Sequence, residues 1–307
     1  MSSQALIKEP GRSPRLEIHA RPKATPGTAV LRVATVGLCR TDLLVADDSI
    51  KITTPLILGH EFSGWVEDVG SGADAPAWIA PGALAAVNPT ATGPFGADAY
   101  MGLDFDGSIA THVRVPFGKL HDAAGMDPRV AAYLEPVACA LGSVDVLRTL
   151  RGRGLLIGGN RIASLTEQAL RGDGAKNGYD LDVMDMDELR GCAAELACAY
   201  DWVVETNATQ EMFALAALVL KRRGTLVVKS RHPGARAIEV RDYVLKEISV
   251  VGRTRSGFPE AMSWLRSHEA FVAGLIGAEF DIGDWQRAFA AANAGEAGKT
   301  FIKVNGA

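Results

Sequence analysis

Residues 154–163 read Gly154-Leu155-Leu156-Ile157-Gly158-Gly159-Asn160-Arg161-Ile162-Ala163, and this stretch decides the fold of the second half of the 307-residue chain. A short apolar run enters a glycine pair, and a segment with helical character, residues 162–170, leaves it. Working outward, strands are expected at 181–184, 202–204, 225–228 and 248–251, with a helix at 212–220. Strand, turn, helix and strand in this order imply parallel strands joined by helical crossovers.

The first 120 residues have another texture. Strand-like runs at 29–36 (AVLRVATV), 62–69 and 83–87 are punctuated by Pro26-Gly27, by the turn at 70–72 and by Pro81-Gly82. That is the pattern of antiparallel strands with tight turns. Asp127-Pro128 has the form of a helix start, with Asp127 as N-cap and Pro128 in the first turn. The tail, 285–304, reads as a helix (WQRAFAAANA), a glycine turn and a last strand (TFIKV).

Composition narrows the function classes. Hydrophobic residues make up 48% and charged residues 22%, enough apolar material for a sizeable core. The net charge is −4 and there is no dense Lys/Arg block, which argues against nucleic acid. No apolar run reaches the roughly 20 residues a membrane span needs. The N-terminus lacks a signal-peptide core, so a cytoplasmic protein is expected. The four cysteines, Cys39, Cys139, Cys192 and Cys198, are too scattered for a disulfide framework, and there is no CxxC pair to hold a structural zinc.

One constellation carries chemistry. Gly37-Leu38-Cys39-Arg40-Thr41-Asp42 is followed by Gly59-His60-Glu61-Phe62-Ser63-Gly64, and Leu134-Glu135-Pro136-Val137 comes later. Cys39, His60 and Glu61 offer sulfur, nitrogen and oxygen, a mixed set that suits zinc, and Glu135 is a fourth candidate ligand. Each residue alone has a plainer reading: a core thiol, a surface His-Glu pair, a helix-start acid.

Taken together, the blocks GLCRTDL, GHEFSGWVEDVG and LEPVACALGSVDV resemble the zinc-dependent medium-chain dehydrogenase/reductase superfamily, in its alcohol, polyol, threonine and sugar dehydrogenase branch. The resemblance implies an α/β chain. A GroES-like β-rich catalytic domain would comprise residues 1–138 and 253–307, and a Rossmann-like doubly wound parallel sheet would comprise 139–252. It implies one catalytic zinc on Cys39 and His60 with Glu61 and Glu135, and hydride transfer between a nicotinamide cofactor and a secondary alcohol or ketone. Thr41 matches the hydroxyl that relays the proton, its alternative being a cap on the following turn, and Asp42 is placed to orient the ligands. The structural-zinc cysteine lobe is absent from the 88–107 segment.

For the cofactor, Gly158, Gly159, Asn160, Arg161 and Ile162 stand where a pyrophosphate-binding turn belongs. The pattern is degraded: Asn160 replaces the second glycine of GxGxxG, and its tolerance of positive φ is the expected compensation. Asp185 closes the second strand, where an acid binds ribose hydroxyls and favours NAD over NADP; Asp182 and Asp187 compete for that role. By resemblance, Glu205, Thr206 and Lys229 lie at strand ends beside the nicotinamide. Lys299 matches a recurrent family lysine or is a surface charge. Asn88, Asp104 and Asp106 either bind substrate hydroxyls or form turns. The segment between Asp185 and Tyr200 is short, so about five parallel strands are expected instead of six. The substrate is expected to be a polyol, sugar or aminocyclitol. A homodimer or homotetramer paired through the strand at 247–253 is also expected. Two rivals stand beside this reading: a zinc-free enone or quinone reductase, and a non-catalytic paralogue that keeps the fold.

Overall fold

The computed structural model describes residues 2–71, 75–93, 98–231, 234–295 and 298–305. Gly72 of the expected turn, positions 94–97 of the 88–107 loop and Ala297 before Lys299 lie outside them. The chain divides into two units, residues 1–135 with 258–307, and residues 136–257.

In the first unit, β1 (Ser2–Lys8), β2 (Arg15–Ala20) and β4 (Leu56–Ile57) form a three-stranded sheet in the order β2-β1-β4. A larger sheet contains β3 (Thr28–Gly37), β5 (Glu61–Val69), β6 (Leu84–Val87), β9 (His112–Pro116) and β10 (Leu120–Asp122). It is completed by two strands of the C-terminal return, β16 (Ile276–Asp281) and β17 (Lys299–Lys303). Its order is β10-β6-β5-β3-β17-β16, with β9 also paired to β3. A small hairpin joins β7 (Thr90–Thr92) to β8 (Asp98–Tyr100). β3 is the hub, since it is antiparallel to β5, β9 and β17. Its sequence is almost wholly apolar or small because it is buried along most of its length. Leu31, Val33, Val36, Leu38, Phe62, Val66, Ile109 and Ile302 share one core.

Helices attach to this frame at defined ends. α1 (Arg40–Ala46) leaves β3 directly. α2 (Pro128–Ala131) starts as expected, with the Asp127 carboxylate accepting from Arg129 N. Ser63 Oγ on β5 donates to Pro128 O at 2.6 Å, which anchors that start to the sheet. α3 (Leu134–Leu147) follows, with Glu135 in its first turn. The unit closes with α8 (Phe258–Ser267), α9 (Glu269–Ala273) and α10 (Trp285–Ala294).

The second unit is a five-stranded parallel sheet of β11 (Arg153–Ile157), β12 (Asp180–Met184), β13 (Tyr200–Glu205), β14 (Leu220–Val228) and β15 (Ser249–Gly252). Its order is β12-β11-β13-β14-β15. Strand order therefore reverses between β11 and β13, the kind of place where open α/β sheets bind ligands. β12 is an edge where the six-stranded pattern has one more strand. The crossovers are α4 (Arg161–Asn177), α5 (Met186–Cys192), α6 (Gln210–Val219) and α7 (Val240–Leu245). Leu155, Ile157, Tyr200, Val203, Met212, Phe213 and Leu226 pack together as its core.

One sequence expectation needs correction. The helix expected to end at 170 runs to Asn177, because its polar last turns still carry a contact face: Gly174 is buried and lies close under the Tyr179 ring. The N-terminal hairpin β1–β2 is held by six residue pairs, from Ser2↔Ala20 to Ile7↔Arg15.

Gly158 is obligatory. Its φ is +153°, and a Cβ there would collide with Thr206 Oγ1. We predict that Gly158→Ala destabilises the protein by roughly 1–3 kcal/mol through strain and overpacking. Urea unfolding checks this; an unchanged midpoint would mean the turn adapts freely.

Candidate metal centre and nucleotide turn

The metal-ligand candidates are brought together by two strand ends. Gly37 at the end of β3 pairs with Glu61 at the start of β5, and Val36 pairs with Phe62. That register puts the residues just after β3, Leu38 and Cys39, next to His60 and Glu61. One donor atom from each of Cys39, His60 and Glu61 lies within 4.8 Å of the others. Cys39 is half-buried, while His60 and Glu61 are buried.

Asp42 ties the ligands to one another. It stands in the first turn of α1 and is wholly buried. Its Oδ2 accepts from Cys39 N at 2.8 Å, the reach-back half of a capping box. Its Oδ1 lies 3.3 Å from His60 Nδ1. A carboxylate on Nδ1 leaves Nε2 as the nitrogen for a cation, the usual outer partner of a metal-bound histidine. Burial opposes charge on the imidazole, but Asp42 and Cys39 outweigh it and hold the His60 pKa well above its ordinary value. Thr41 is half-buried, with its Oγ1 3.8 Å from Cys39 Sγ. It does not cap the turn; the N-cap position is Cys39.

Lys299 was underrated by the sequence. Its side chain is 6% exposed and pairs with Glu61 Oε2, so the surface-charge alternative is wrong. It sits at the start of β17, and Leu38 N donates to the carbonyl of the next residue, Thr300, at 2.9 Å. Its stem passes over Gly37, where any Cβ would strike Lys299 Cε. The ring of Tyr133 lies 5.4 Å from its Nζ. Burial acts against its charge, yet Glu61, Tyr133 and Cys39 keep its pKa raised, so it stays an ammonium. Burial lifts the Glu61 carboxyl, with Lys299 acting in the opposite sense and Glu135 adding to the rise. Glu135 is buried in this neighbourhood but is not one of the three clustered donors.

The residues fit a divalent cation. Asp42, Glu61 and Glu135 are three buried carboxylates, and Lys299 is one buried ammonium. Buried carboxylates beside a thiol and an imidazole offer a divalent cation both charge and donor atoms. The sulfur, nitrogen and oxygen set is one that zinc accepts.

The second unit carries the candidate nucleotide turn. Gly158 is buried, and Gly159 and Asn160 are exposed. Arg161 and Ile162 open α4, with Asn160 as its N-cap. The expected positive φ at Asn160 is not found: φ is −122° and ψ 172°, an extended cap conformation in which the side chain accepts from Ala163 N. Asp185 is exposed at the end of β12, and a Cβ on Gly159 would stand 3.5 Å from its Cβ. One of its oxygens, Oδ1, accepts from Asp187 N and Glu188 N at 2.9 Å, capping α5. Its competitors are engaged elsewhere: Asp182 with Arg153 and the Tyr200 hydroxyl, Asp187 with Arg190.

Other expected residues have structural duties. Glu205 is fully buried and clamps the end of β14, accepting from Lys229 N (2.7 Å), Ser230 N (2.8 Å) and Ser230 Oγ (2.9 Å). Lys229 Nζ donates to Arg253 O and Thr254 O at 3.0 and 2.9 Å. Thr206 N and Oγ1 both donate to Ile157 O. Asn88 and Asp104 accept locally, Asn88 Oδ1 from Thr90 N and Asp104 Oδ2 from Tyr100 N, whereas Asp106 Oδ1 accepts from Ile57 N, distant in sequence.

Comparison with known proteins agrees with this architecture. Residues 25–125 match the family model of the alcohol dehydrogenase GroES-like domain. The sorbitol dehydrogenase of Halalkalibacterium halodurans is 25% identical over 97% of this chain and 98% of its own length. A protein of Sinorhizobium meliloti 1021, described as a zinc-binding dehydrogenase and solved with NADP, superposes with a TM-score of 0.84 at 22% identity, covering 99% of this chain and 100% of that one. The 2R,3R-butanediol dehydrogenase of Bacillus subtilis gives 0.82 at 21% identity, covering 99% and 100%. The chain therefore carries an alcohol dehydrogenase GroES-like domain and is similar, over nearly its whole length, to a sorbitol dehydrogenase. Its fold joins GroES-like and Rossmann-like parts. Among the described residues, no helix is long and apolar enough to cross a membrane.

Removing one member of the buried pair should be costly. Lys299→Met is expected to cost about 3–5 kcal/mol in chelator-treated protein, the usual price of a buried carboxylate left alone. Lys299→Met combined with Glu61→Gln should recover most of that loss in urea unfolding. A harmless single variant would show that the pair is not a structural constraint.

Proposed function

We propose that this chain is a zinc-dependent dehydrogenase that transfers hydride between a nicotinamide cofactor and a secondary alcohol or ketone. The observation that carries this reading is the convergence of Cys39, His60 and Glu61 donors within 4.8 Å. In the proposed assignment, residues 1–138 with 253–307 form the catalytic domain and 139–252 the cofactor domain.

Cys39 Sγ, His60 Nε2 and a Glu61 oxygen would hold the ion, with Glu135 as an exchangeable fourth ligand. Such an ion supplies Lewis-acid polarisation of a substrate oxygen. Asp42 holds the imidazole in the tautomer that presents Nε2, and it fixes the backbone of Cys39 at the same time. Lys299 engages one oxygen of Glu61 and so limits how far that carboxylate swings. The Thr41 hydroxyl, beside Cys39 Sγ, is the group assigned to carry the proton of a substrate hydroxyl outward. Asp42, Lys299 and Thr41 do the positioning and proton handling that the chemistry needs.

On the cofactor side, Asp185 is the acid that flanks the glycine turn. It is assigned to the ribose hydroxyls, which favours NAD over NADP, because a 2′-phosphate would meet its charge. Glu205 and Lys229 serve that site by fixing strand ends. The substrate assigned is a polyol, sugar or aminocyclitol, in keeping with the sorbitol dehydrogenase relative. A cytoplasmic homodimer or homotetramer is proposed through the β15 edge, where Val250 is 48% exposed and Val240 and Val244 of α7 lie 63% and 66% exposed.

A screen of polyols, sugars and aminocyclitols with NAD and NADP tests this reading. Oxidation of one substrate class with NAD is expected, and Cys39→Ser should abolish it while leaving circular dichroism unchanged. Turnover retained in Cys39→Ser would remove the metal from the mechanism. Asp185→Ala should weaken NAD by about 10- to 100-fold, the worth of charge-assisted hydrogen bonds, and NADP far less. Equal weakening of both would assign the ribose to another residue.

A further inference from the structure

The nucleotide turn contains a bridge that a glycine could not make. Asn160 Oδ1 accepts from Ala163 N at 2.9 Å, and Asn160 Nδ2 donates to Thr206 O at 3.0 Å. The same nitrogen stands 3.4 Å from Thr206 Oγ1. Asn160 follows β11 and Thr206 follows β13, the two strands between which the order of the sheet reverses. One carboxamide therefore spans the crevice from the loop on one side to the loop on the other.

The position of this bridge matters because of what helix α4 offers. The first turn of a helix presents unpaired N–H groups, and these are what a phosphate uses. Here Ser164 N is already bonded to Asn160 O at 3.0 Å, and the Asn160 side chain takes Ala163 N as well. The carboxamide oxygen thus stands on an amide that a phosphate oxygen would otherwise take. In the usual dinucleotide turn the residue at this place is glycine, so that the backbone can approach the pyrophosphate.

We propose that Asn160 is a self-capping latch that competes with the pyrophosphate of the cofactor and lowers dinucleotide affinity. The inference rests on the nicotinamide-cofactor reading above and specifies how that site is tuned. Binding a dinucleotide releases Oδ1 from Ala163 N and Nδ2 from Thr206 O. Two opposed consequences follow from removing the latch. Asn160→Gly loses an N-cap, so the unliganded protein becomes less stable. The same change frees the amide and the approach, so the cofactor binds more tightly. A residue with a merely structural role would lower both.

Fluorescence titration with NADH, with ADP-ribose and adenosine as competitors, tests the proposal on the full-length protein and on Asn160→Gly and Asn160→Ser. Asn160→Gly should bind NADH and ADP-ribose about tenfold more tightly, the release of one cap and one neutral hydrogen bond. Adenosine, which has no pyrophosphate, should be unchanged. Asn160→Ser, which keeps a capping oxygen but is too short to bridge to Thr206, should fall between. The thermal midpoint of unliganded Asn160→Gly should drop. If the wild type binds NADH and Asn160→Gly binds it equally or less well, the latch is refuted and the cofactor reading stands. If neither binds NADH or ADP-ribose at millimolar concentration, opening the latch exposes no site, and both the proposal and the cofactor reading fall.

Discussion

The candidate metal centre depends on the register in which Gly37 of β3 faces Glu61 of β5. Side chains alternate across a strand, so a slip of one residue would turn Glu61 to the other face of the sheet. The register is enforced on both sides of β3. Phe62 and Val36 are buried partners in one core, and β17 pairs on the other edge with Phe301 opposite Gly37. The small residue at 37 lets the stem of Lys299 cross to Glu61. The carboxylate of Glu61 and the ammonium of Lys299 thereby stand on strands, and the thiol of Cys39 and the imidazole of His60 lie within two residues of strand ends.

Charge explains why this arrangement is more than packing. Buried acids are tolerated when each is matched, and here Asp42 faces His60 and Glu61 faces Lys299. The buried carboxylates and the soft sulfur beside them are the donors a divalent cation would use. Asp42 has two tasks at once, capping the turn that presents Cys39 and orienting the ring that presents His60. A helix start and the donor cluster are therefore one construction.

Much of this was legible in the sequence for identifiable reasons. The alternation around Gly158 announced parallel strands, and the short span after Asp185 announced five of them. Asp127-Pro128 marked a helix start because its capping chemistry is local. What stayed hidden depends on distant partners. The burial of Lys299 arises from Gly37, 262 positions earlier, and no local pattern encodes that pairing. Asn160 looked like a substitute for glycine at positive φ, whereas it acts through its side chain on Ala163 and Thr206. Glu205 looked like a ligand residue at a strand end, but its carboxylate is consumed by the backbone at Lys229 and Ser230. In each case the residue type was informative and its partner was not.

Titration of metal-free protein with cobalt(II), followed by optical absorption, tests the central claim most directly, because a thiolate bound to cobalt gives a charge-transfer band of its own. The account predicts one equivalent of metal per chain, with that band present in the wild type and missing in Cys39→Ser. A titration without a stoichiometric end point, or a spectrum with no thiolate band, would contradict it.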